Sequence, residues 1–155
     1  MRVLLSMGLE QDLKQERFEN EYEKMVVNIL FTGSWLANLN AARLKPFGLT
    51  PQQYNVLRIL RGSHPKPMML AEITSRMIDR NSNATRLVEK LRHKGLVNRE
   101  VCTNNRRQLD ISVTDAGLEV LRKIDEGRDQ WLEKLITIPK PEVVELNNLL
   151  DRLRG

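Results

Sequence analysis

Residues 84–113 constrain the fold more than any other stretch of this chain, because the hydrophobic period changes halfway along them. The first part, "ATRLVEKLRHK", repeats apolar residues at helical spacing: Ala84, Leu87, Val88 and Leu91. Gly95 follows, and glycine commonly stands just after the end of a helix. The runs "LVNREVCT" and "QLDISVT" are β-prone and are separated by "NNRR", which predicts a hairpin. Asn81 or Ser82 is expected to cap the helix.

The segments before this stretch predict three more helices. Residues 10–45 predict one long helix, which Pro46 and Gly48 terminate. Thr50 suits the N-cap of the next helix and Pro51 its first turn, while Gly62 suits its end. The expected buried stripe of that helix is Tyr54, Leu57 and Leu60. A short helix over residues 69–77 then completes a helix–turn–helix pattern over residues 69–94.

Two helices are predicted after the hairpin. The first begins at Thr114 or Asp115 and continues through Leu135, where the prolines of "IPKP" end it. The last carries apolar residues from Val143 to Leu153. The predicted fold class is therefore mainly α with a small β-hairpin wing. It is a winged helix–turn–helix over residues 50–115, flanked in a single chain by long helices over 10–45 and 116–155.

The basic residues are concentrated in one segment. Residues 76–107 hold nine basic and three acidic side chains, a net charge of +6, which leaves −1 for the rest of a chain whose total is +5. A run of charges is usually only a solvated surface. A local basic block on a near-neutral chain also suits a surface that binds a polyanion. Charge alone leaves both interpretations open.

The helix over residues 84–94 has the properties of a DNA-recognition helix. Such a helix enters the major groove and contacts base edges with its N-terminal residues. Arginine can donate two hydrogen bonds to guanine, and asparagine can pair with adenine. The candidate DNA-binding residues lie near the front of this helix and on the wing: Ser82, Asn83, Thr85, Arg86, Lys90, Arg106 and Arg107. The alternative is an ordinary amphipathic helix with capping residues, and the hairpin argues against it.

The segments "ATRLVEKLRHKGLVNRE" and "NNRRQLDISVTDAGLEVL" resemble the MarR (multiple antibiotic resistance regulator) family of bacterial transcription factors. The family pattern has T-R-L in the recognition helix, G-L-v-x-R after it, D-x-R at the wing and L-T-x-x-G at the next helix. The matching residues are Thr85, Arg86, Leu87, Leu91, Gly95, Leu96, Val97, Arg99, Arg107, Thr114 and Gly117. Asn105 stands where the family usually has the wing aspartate. That carboxylate would orient an arginine, so a looser wing is expected here.

The resemblance implies a sequence-specific transcriptional regulator that binds double-stranded DNA at an inverted-repeat operator. It implies a homodimer that acts as a repressor. It also implies a small lipophilic or phenolic effector that releases the DNA.

The C-terminal helices support a dimer independently. They carry more apolar residues than the 50–115 module can cover, so a monomer would expose a large apolar patch. The candidate dimerisation residues are Leu118, Leu121, Leu135, Leu146, Leu149, Leu150 and Leu153. Pairing them with a second chain would place two recognition helices about one DNA turn apart. A monomeric bundle that folds on itself is the alternative.

The sequence offers no pattern typical of an enzyme or a metal site. It has no glycine-rich phosphate loop, nucleophile elbow or paired-histidine motif. His64, His93 and Cys102 form a poor ligand set for zinc, and no cofactor is predicted. Cys102 is expected to be structural or incidental, since a reactive thiol needs surroundings that favour the thiolate. Four aromatic residues could line an effector pocket, although such residues more often pack in a core: Tyr22, Phe31, Trp35 and Trp131.

We expect a cytoplasmic protein with no membrane partner. No apolar run approaches the roughly 20 residues of a membrane span, and the apolar patch near the N-terminus is too short for a secretory signal. The single cysteine suits a reducing compartment. The rival function is a winged-helix module that binds another protein. A wing of that kind would more often be apolar, whereas "NNRR" is basic.

Overall fold

The computed structural model describes residues 8–14, 17–102, 105–135 and 137–155, with the side chains of residues 102, 105–108 and 134 outside the description. The chain divides into two compact units, Met1–Tyr54 and Asn55–Gly155. The predicted division, into a DNA-binding module over 50–115 and flanking dimerisation helices, is a functional one and stays a prediction. Within the described ranges, no helix combines the length and apolarity that a membrane crossing requires.

The first unit holds helices α1 (Leu9–Leu13) and α2 (Glu21–Leu44), followed by a 3₁₀ turn over Lys45–Phe47. The single helix predicted over 10–45 is therefore wrong. Lys14 ends α1 in the left-handed conformation, with φ of 53°. Asn20 starts α2, because its Oδ1 accepts hydrogen bonds from the backbone N–H groups of Tyr22 and Glu23 at 2.9 and 3.0 Å. The predicted end is confirmed, with Gly48 left-handed at φ of 66°.

Helix α2 exposes most of its apolar side chains. Leu44 is its one buried residue. Tyr22 is 80% exposed, Leu30 68% and Trp35 48%. The expectation that these aromatic residues pack in a core is wrong for Tyr22, Phe31 and Trp35, which are all exposed. Helical spacing shows an apolar stripe but not what covers it. No described part of this chain covers that face.

Helix α3 (Pro51–Ser63) spans the boundary between the units and begins where predicted. Thr50 and Gln53 cap it reciprocally: each backbone N–H donates to the other side chain at 3.2 Å. Leu57 and Leu60 are buried as expected, but Tyr54 is only partly buried. The helix also continues one residue past Gly62, its predicted end.

The second unit contains the helix–turn–helix and a small sheet. Its elements run β1 (Met68–Met69), α4 (Leu70–Arg76), α5 (Ala84–His93), β2 (Val97–Cys102) and β3 (Asn105–Val113). The sheet is antiparallel with the order β1-β3-β2, and Val97 pairs with Val113 at the base of the hairpin. Strand β1, where Met68 pairs with Ile111, was not predicted. Two residues carry no periodic signal, and their pairing depends on a strand about forty positions away.

The core of the second unit is contributed by α3, α4, α5, the sheet and the helix that follows the wing. Its fully buried large side chains are Leu57, Leu60, Ile73, Leu91, Ile111, Leu121 and Ile124. Gly95 ends α5 with φ of 71°, which confirms the predicted helix stop. The wing sheet and the helix–turn–helix therefore share one core.

Three helices follow the sheet: α6 (Asp115–Glu126), α7 (Arg128–Leu135) and α8 (Lys140–Arg154). The single helix predicted from residue 114 or 115 to Leu135 is interrupted at Gly127, whose φ and ψ of −91° and 0° leave the helical region. Among the candidate dimerisation residues, Leu121 is 0% exposed, so its prediction is wrong. It packs into the core of its own chain and has no surface to offer a partner.

The remaining candidates keep exposed surface. Leu118, Leu135 and Leu150 are partly buried. Leu146, Leu149 and Leu153 on α8 are 46%, 49% and 53% exposed. Helix α8 has no buried residue at all.

The start of α6 is packed directly against the turn between α5 and β2. Thr114 caps the helix: its Oγ1 accepts from the backbone N–H of Gly117 at 3.1 Å and donates to the carbonyl oxygen of Gly95 at 2.7 Å. The backbone N–H of Thr114 donates to the carbonyl of Leu96 at 3.1 Å. A Cβ at position 117 would lie 2.3 Å from the Leu96 oxygen and 2.7 Å from Val113 Cγ2. Only glycine fits there.

An ion pair joins α3 to α6 in the same unit. The Asp125 carboxylate accepts from Arg58 Nη1 at 3.1 Å with one oxygen and from Arg61 Nη1 at 2.6 Å with the other. The three side chains are about one third exposed, at 36%, 29% and 27%. Pairs with that much exposure typically contribute under about 1 kcal/mol each. The Asp125 contacts therefore add little to the stability of the fold.

We expect Gly117→Ala to lower the free energy of unfolding by about 2 kcal/mol, because the new methyl group overlaps backbone that cannot move aside. The matched control is Gly62→Ala in α3, where nothing lies within 4 Å of the added Cβ. That change should raise stability by about 0.5 kcal/mol through helix propensity. Urea titrations followed by circular dichroism measure both. Equal effects of the two substitutions would contradict the close approach.

Candidate nucleic-acid interface

The turn that leads into α5 is built around Asp79. Its Oδ1 accepts from the backbone N–H of Asn81 at 3.0 Å and its Oδ2 accepts from the Ser82 hydroxyl at 2.8 Å. The backbone N–H of Ser82 also donates to the Asp79 carbonyl at 3.2 Å. Residues 79–82 therefore form a turn outside the helix, and the prediction that Asn81 or Ser82 caps α5 is wrong. Local bonds from an Asp side chain compete with helix formation in this way.

Asn83 is the residue that caps α5. Its Oδ1 accepts from the backbone N–H of Arg86 at 3.0 Å, which satisfies one of the free donors in the first turn. A bidentate contact with adenine needs both the oxygen and the amide nitrogen of an asparagine. Such a contact would compete with the cap. The structure thus gives Asn83 a role in starting the helix, and it ties Ser82 into the preceding turn.

The outer face of α5 is polar and basic. Thr85, Arg86 and Lys90 are exposed, whereas Ala84, Val88 and Leu91 are buried as predicted. Leu87 is only partly buried. Several basic residues from the helix–turn–helix are also exposed: Arg76, Arg80, Arg92 and Lys94. The front of the helix therefore presents small polar groups and cations to solvent, with the apolar side turned into the core.

Glu89 is the one acidic residue of α5, and arginines hold both of its oxygens. Arg99 Nη1 on β2 donates to Oε1, and Arg92 Nε donates to Oε2 at 3.2 Å. The guanidinium of Arg99, with a smaller contribution from Arg92, holds the pKa of the Glu89 carboxyl below its usual range. Sequence reasoning missed this contact, since an ion pair between a helix and a strand leaves no periodic signal.

The wing residues are placed by their backbone. Strand β3 begins at Asn105, which pairs with Cys102, so Arg106 and Arg107 belong to the strand. The expectation that all of "NNRR" separates the two strands is wrong, because its last three residues already belong to β3 (Asn105–Val113). The side chains of Cys102, Asn105, Arg106 and Arg107 lie outside the described structure. The predicted contacts of Arg106 and Arg107 with DNA stay predictions.

The described residues contain no group of three His, Cys, Asp or Glu side chains that could hold a metal ion. His64 and His93 are both exposed.

A helix–turn–helix followed by an antiparallel hairpin, with a basic outer face on its second helix, defines the winged-helix class. The family comparison then identifies the family: the MarR family matches residues 49–109. A MarR transcription factor from Planctomyces limnophilus is 32% identical, covering 87% of this chain and 98% of its own, with a TM-score of 0.67. This chain belongs to the MarR family of transcription regulators, which confirms the resemblance and the predicted fold class.

Two more distant structures share the fold. A mutant MarR from E. coli in complex with operator DNA is 21% identical with a TM-score of 0.79, covering 90% of this chain and all of its own. An organohalide-sensing transcriptional regulator in its 2,4-dichlorophenol-bound form is 16% identical with a TM-score of 0.80, covering 99% and 88%. The described family members are regulators of transcription, which agrees with the expectation that this chain is not an enzyme.

The cap predicts how position 83 responds to substitution. Asn83→Ala should lower the free energy of unfolding by about 1 kcal/mol, whereas Asn83→Ser should change it little, because serine also caps helices. Thr85→Ala, two residues on and exposed, is the control and should leave stability unchanged or slightly higher. Chemical denaturation measures all three. If Asn83→Ala proved as stable as the unsubstituted chain, the cap would contribute nothing.

Proposed function

We propose that this chain is a sequence-specific regulator that binds double-stranded DNA in the cytoplasm, with α5 as its recognition helix. One observation carries the proposal: the exposed front of α5 presents Thr85, Arg86 and Lys90 on a helix whose other side is locked into the core. A rigid helix of this kind can enter the major groove without losing its packing. The operator complex of the E. coli relative supports this use of the fold.

The charge around α5 suits a DNA backbone. Six exposed basic residues come from residues 76–94: Arg76, Arg80, Arg86, Lys90, Arg92 and Lys94. The two acids in that segment are Asp79, which is bonded within the turn, and Glu89, which is paired with arginines. The six exposed basic side chains outnumber the two acids, which favours the approach of phosphate. Arg106 and Arg107 on the wing are proposed to contact the backbone or the minor groove.

We propose that the functional form is a homodimer. The apolar faces of α2 and α8 support this, because no described part of the chain covers them. The exposed members include Leu30, Trp35, Leu146, Leu149 and Leu153. Monomeric proteins rarely leave apolar patches of this extent in water. A two-fold dimer would bury exposed apolar faces of each chain and present two copies of α5 to an inverted-repeat operator.

We propose further that the protein is a repressor released by a small lipophilic or phenolic effector. The resemblance to the family supports repression. The structural relative bound to 2,4-dichlorophenol supports a phenolic ligand for this architecture. Releasing DNA requires that the effector bind one arrangement of the dimer more tightly than the other.

The test of DNA recognition is selection from a pool of random duplex DNA, followed by sequencing of the bound fraction. The expected product is an inverted repeat whose halves are centred about one helical turn apart. Recovery of unrelated sequences would contradict the proposal of sequence-specific recognition. Protein-binding winged helices offer the rival function, and it would be favoured if no duplex bound at moderate salt.

Substitutions of two arginines should distinguish a side chain that reads the base sequence from one that only contacts the DNA backbone. Arg86→Ala should lower affinity for the selected operator by about 1–3 kcal/mol and flatten the preference at one base pair, as loss of a bidentate contact does. Arg107→Ala should weaken all duplexes by a similar factor and reduce the slope of log affinity against log salt by about one unit. A panel of single-base operator variants measures the difference. Reversed results would exchange the two roles.

The dimer is tested on α8. Replacing Leu146 and Leu149 together with lysine should give monomers and abolish operator binding, because charges would then face each other across the apolar patch. The matched control replaces Asn147 and Asn148, both exposed on the same helix, with lysine. This control adds equal charge and should remain dimeric. Light scattering at micromolar concentration measures the mass of each variant. If the unsubstituted protein were monomeric, the proposed homodimer would be overturned.

A further inference from the structure

Glu89 is unexpected where it lies. It is on the recognition helix, three residues after Arg86 and one before Lys90, in the most basic segment of the chain. A carboxylate near the DNA backbone repels phosphate, so electrostatics alone would favour a neutral side chain there. The Glu89 side chain is 29% exposed, which leaves its charge within reach of a bound polyanion.

The partners of Glu89 connect two elements that both face DNA in the proposed function. Arg99 lies on β2 opposite Ile111, in the middle of the wing sheet, and reaches back to Oε1 of Glu89. Arg92, one turn further along α5, holds Oε2. An arginine donates along directions fixed by its planar guanidinium, so this contact constrains angle as well as distance.

The wing also lacks its usual carboxylate. Asn105 stands where the family pattern has an aspartate, and an amide cannot form the same charge-assisted bond to an arginine. Glu89 supplies a carboxylate to an arginine of the wing sheet from a different element. The sheet is thereby tied to the recognition helix by a charged contact that does not depend on position 105.

We propose that Glu89 is a positioning residue: by holding Arg99, it fixes the wing sheet relative to α5, so that both meet the operator in one geometry. The proposal rests on the proposed function as a DNA-binding regulator. It differs from a stabilising role, since a surface ion pair contributes little to folding. It also differs from a plain charge effect, and the two make opposite predictions.

The test compares Glu89→Gln with Glu100→Gln in the full chain. Glutamine keeps the size of glutamate and removes its charge. Glu100 is an exposed carboxylate on β2, next to Arg99, so its replacement makes the same charge change beside the same arginine. Binding is measured on the selected operator, on a scrambled duplex of equal length, and on single-base operator variants. Thermal unfolding confirms that each variant is folded.

If Glu89 positions Arg99, Glu89→Gln lowers operator affinity about tenfold and flattens the base preference. It changes binding to the scrambled duplex much less. Glu100→Gln instead leaves affinity equal or slightly higher on both duplexes. Glu89→Gln that binds both duplexes equally well or more tightly than the unsubstituted chain overturns the proposal.

A double-mutant cycle with Arg99→Gln gives a second route that does not depend on one variant folding well. With Arg99 already replaced, Glu89→Gln should cause no further loss of operator affinity, because the contact is gone. Equal effects of Glu89→Gln in both backgrounds would overturn the positioning role. An unsubstituted chain that binds no duplex would overturn the proposed function itself, whereas the outcomes above overturn only the role of Glu89.

Discussion

The close approach of Gly117 to the Leu96 carbonyl fixes the start of α6 against the turn between α5 and β2. The contact leaves no room for a side chain, with a hypothetical Cβ only 2.3 Å from the carbonyl oxygen. The Thr114 hydroxyl strengthens this contact, because it donates to the Gly95 carbonyl and accepts from the Gly117 backbone N–H. Gly95 and Leu96 link α5 to β2, and Thr114 starts α6, so the three elements meet at this contact. Thr114 and Gly117 are the T and G of the T-x-x-G spacing in the family pattern, and in this chain that spacing produces the contact.

Much of the fold could be predicted because its signals are local. Gly95 ends α5 as expected, Thr50 caps α3, and the two β-prone runs form β2 and β3. The failures share a cause, which is dependence on contacts or caps that periodicity does not record. Asp79 diverts the chain into a turn before α5, and Gly127 interrupts an otherwise continuous apolar stripe. Strand β1 exists only through pairing with distant β3.

The candidate site was predictable in its outline but not in its division of roles. Exposed Thr85, Arg86 and Lys90 lie where the amphipathic pattern of α5 places them. The pattern could not show that Asn83 is occupied by the cap, or that Glu89 joins the helix to Arg99. The apolar spacing of the C-terminal helices also placed Leu121 on a dimer surface. A stripe of leucines has the same spacing whether it packs against its own chain or against a second one. Burial in the folded chain separates these cases.

The cap at Asn83 has a consequence for how binding specificity can change over evolutionary time. Asp79, Ser82 and Asn83 use their polar atoms to form the turn and begin the helix, so a substitution there alters folding before it alters base preference. The side chains of Thr85, Arg86 and Lys90 are exposed and do not pack in the core. In the proposed DNA complex, exchange of these three residues would change the operator while the fold stays stable, which separates the inherited framework from the residues free to diverge.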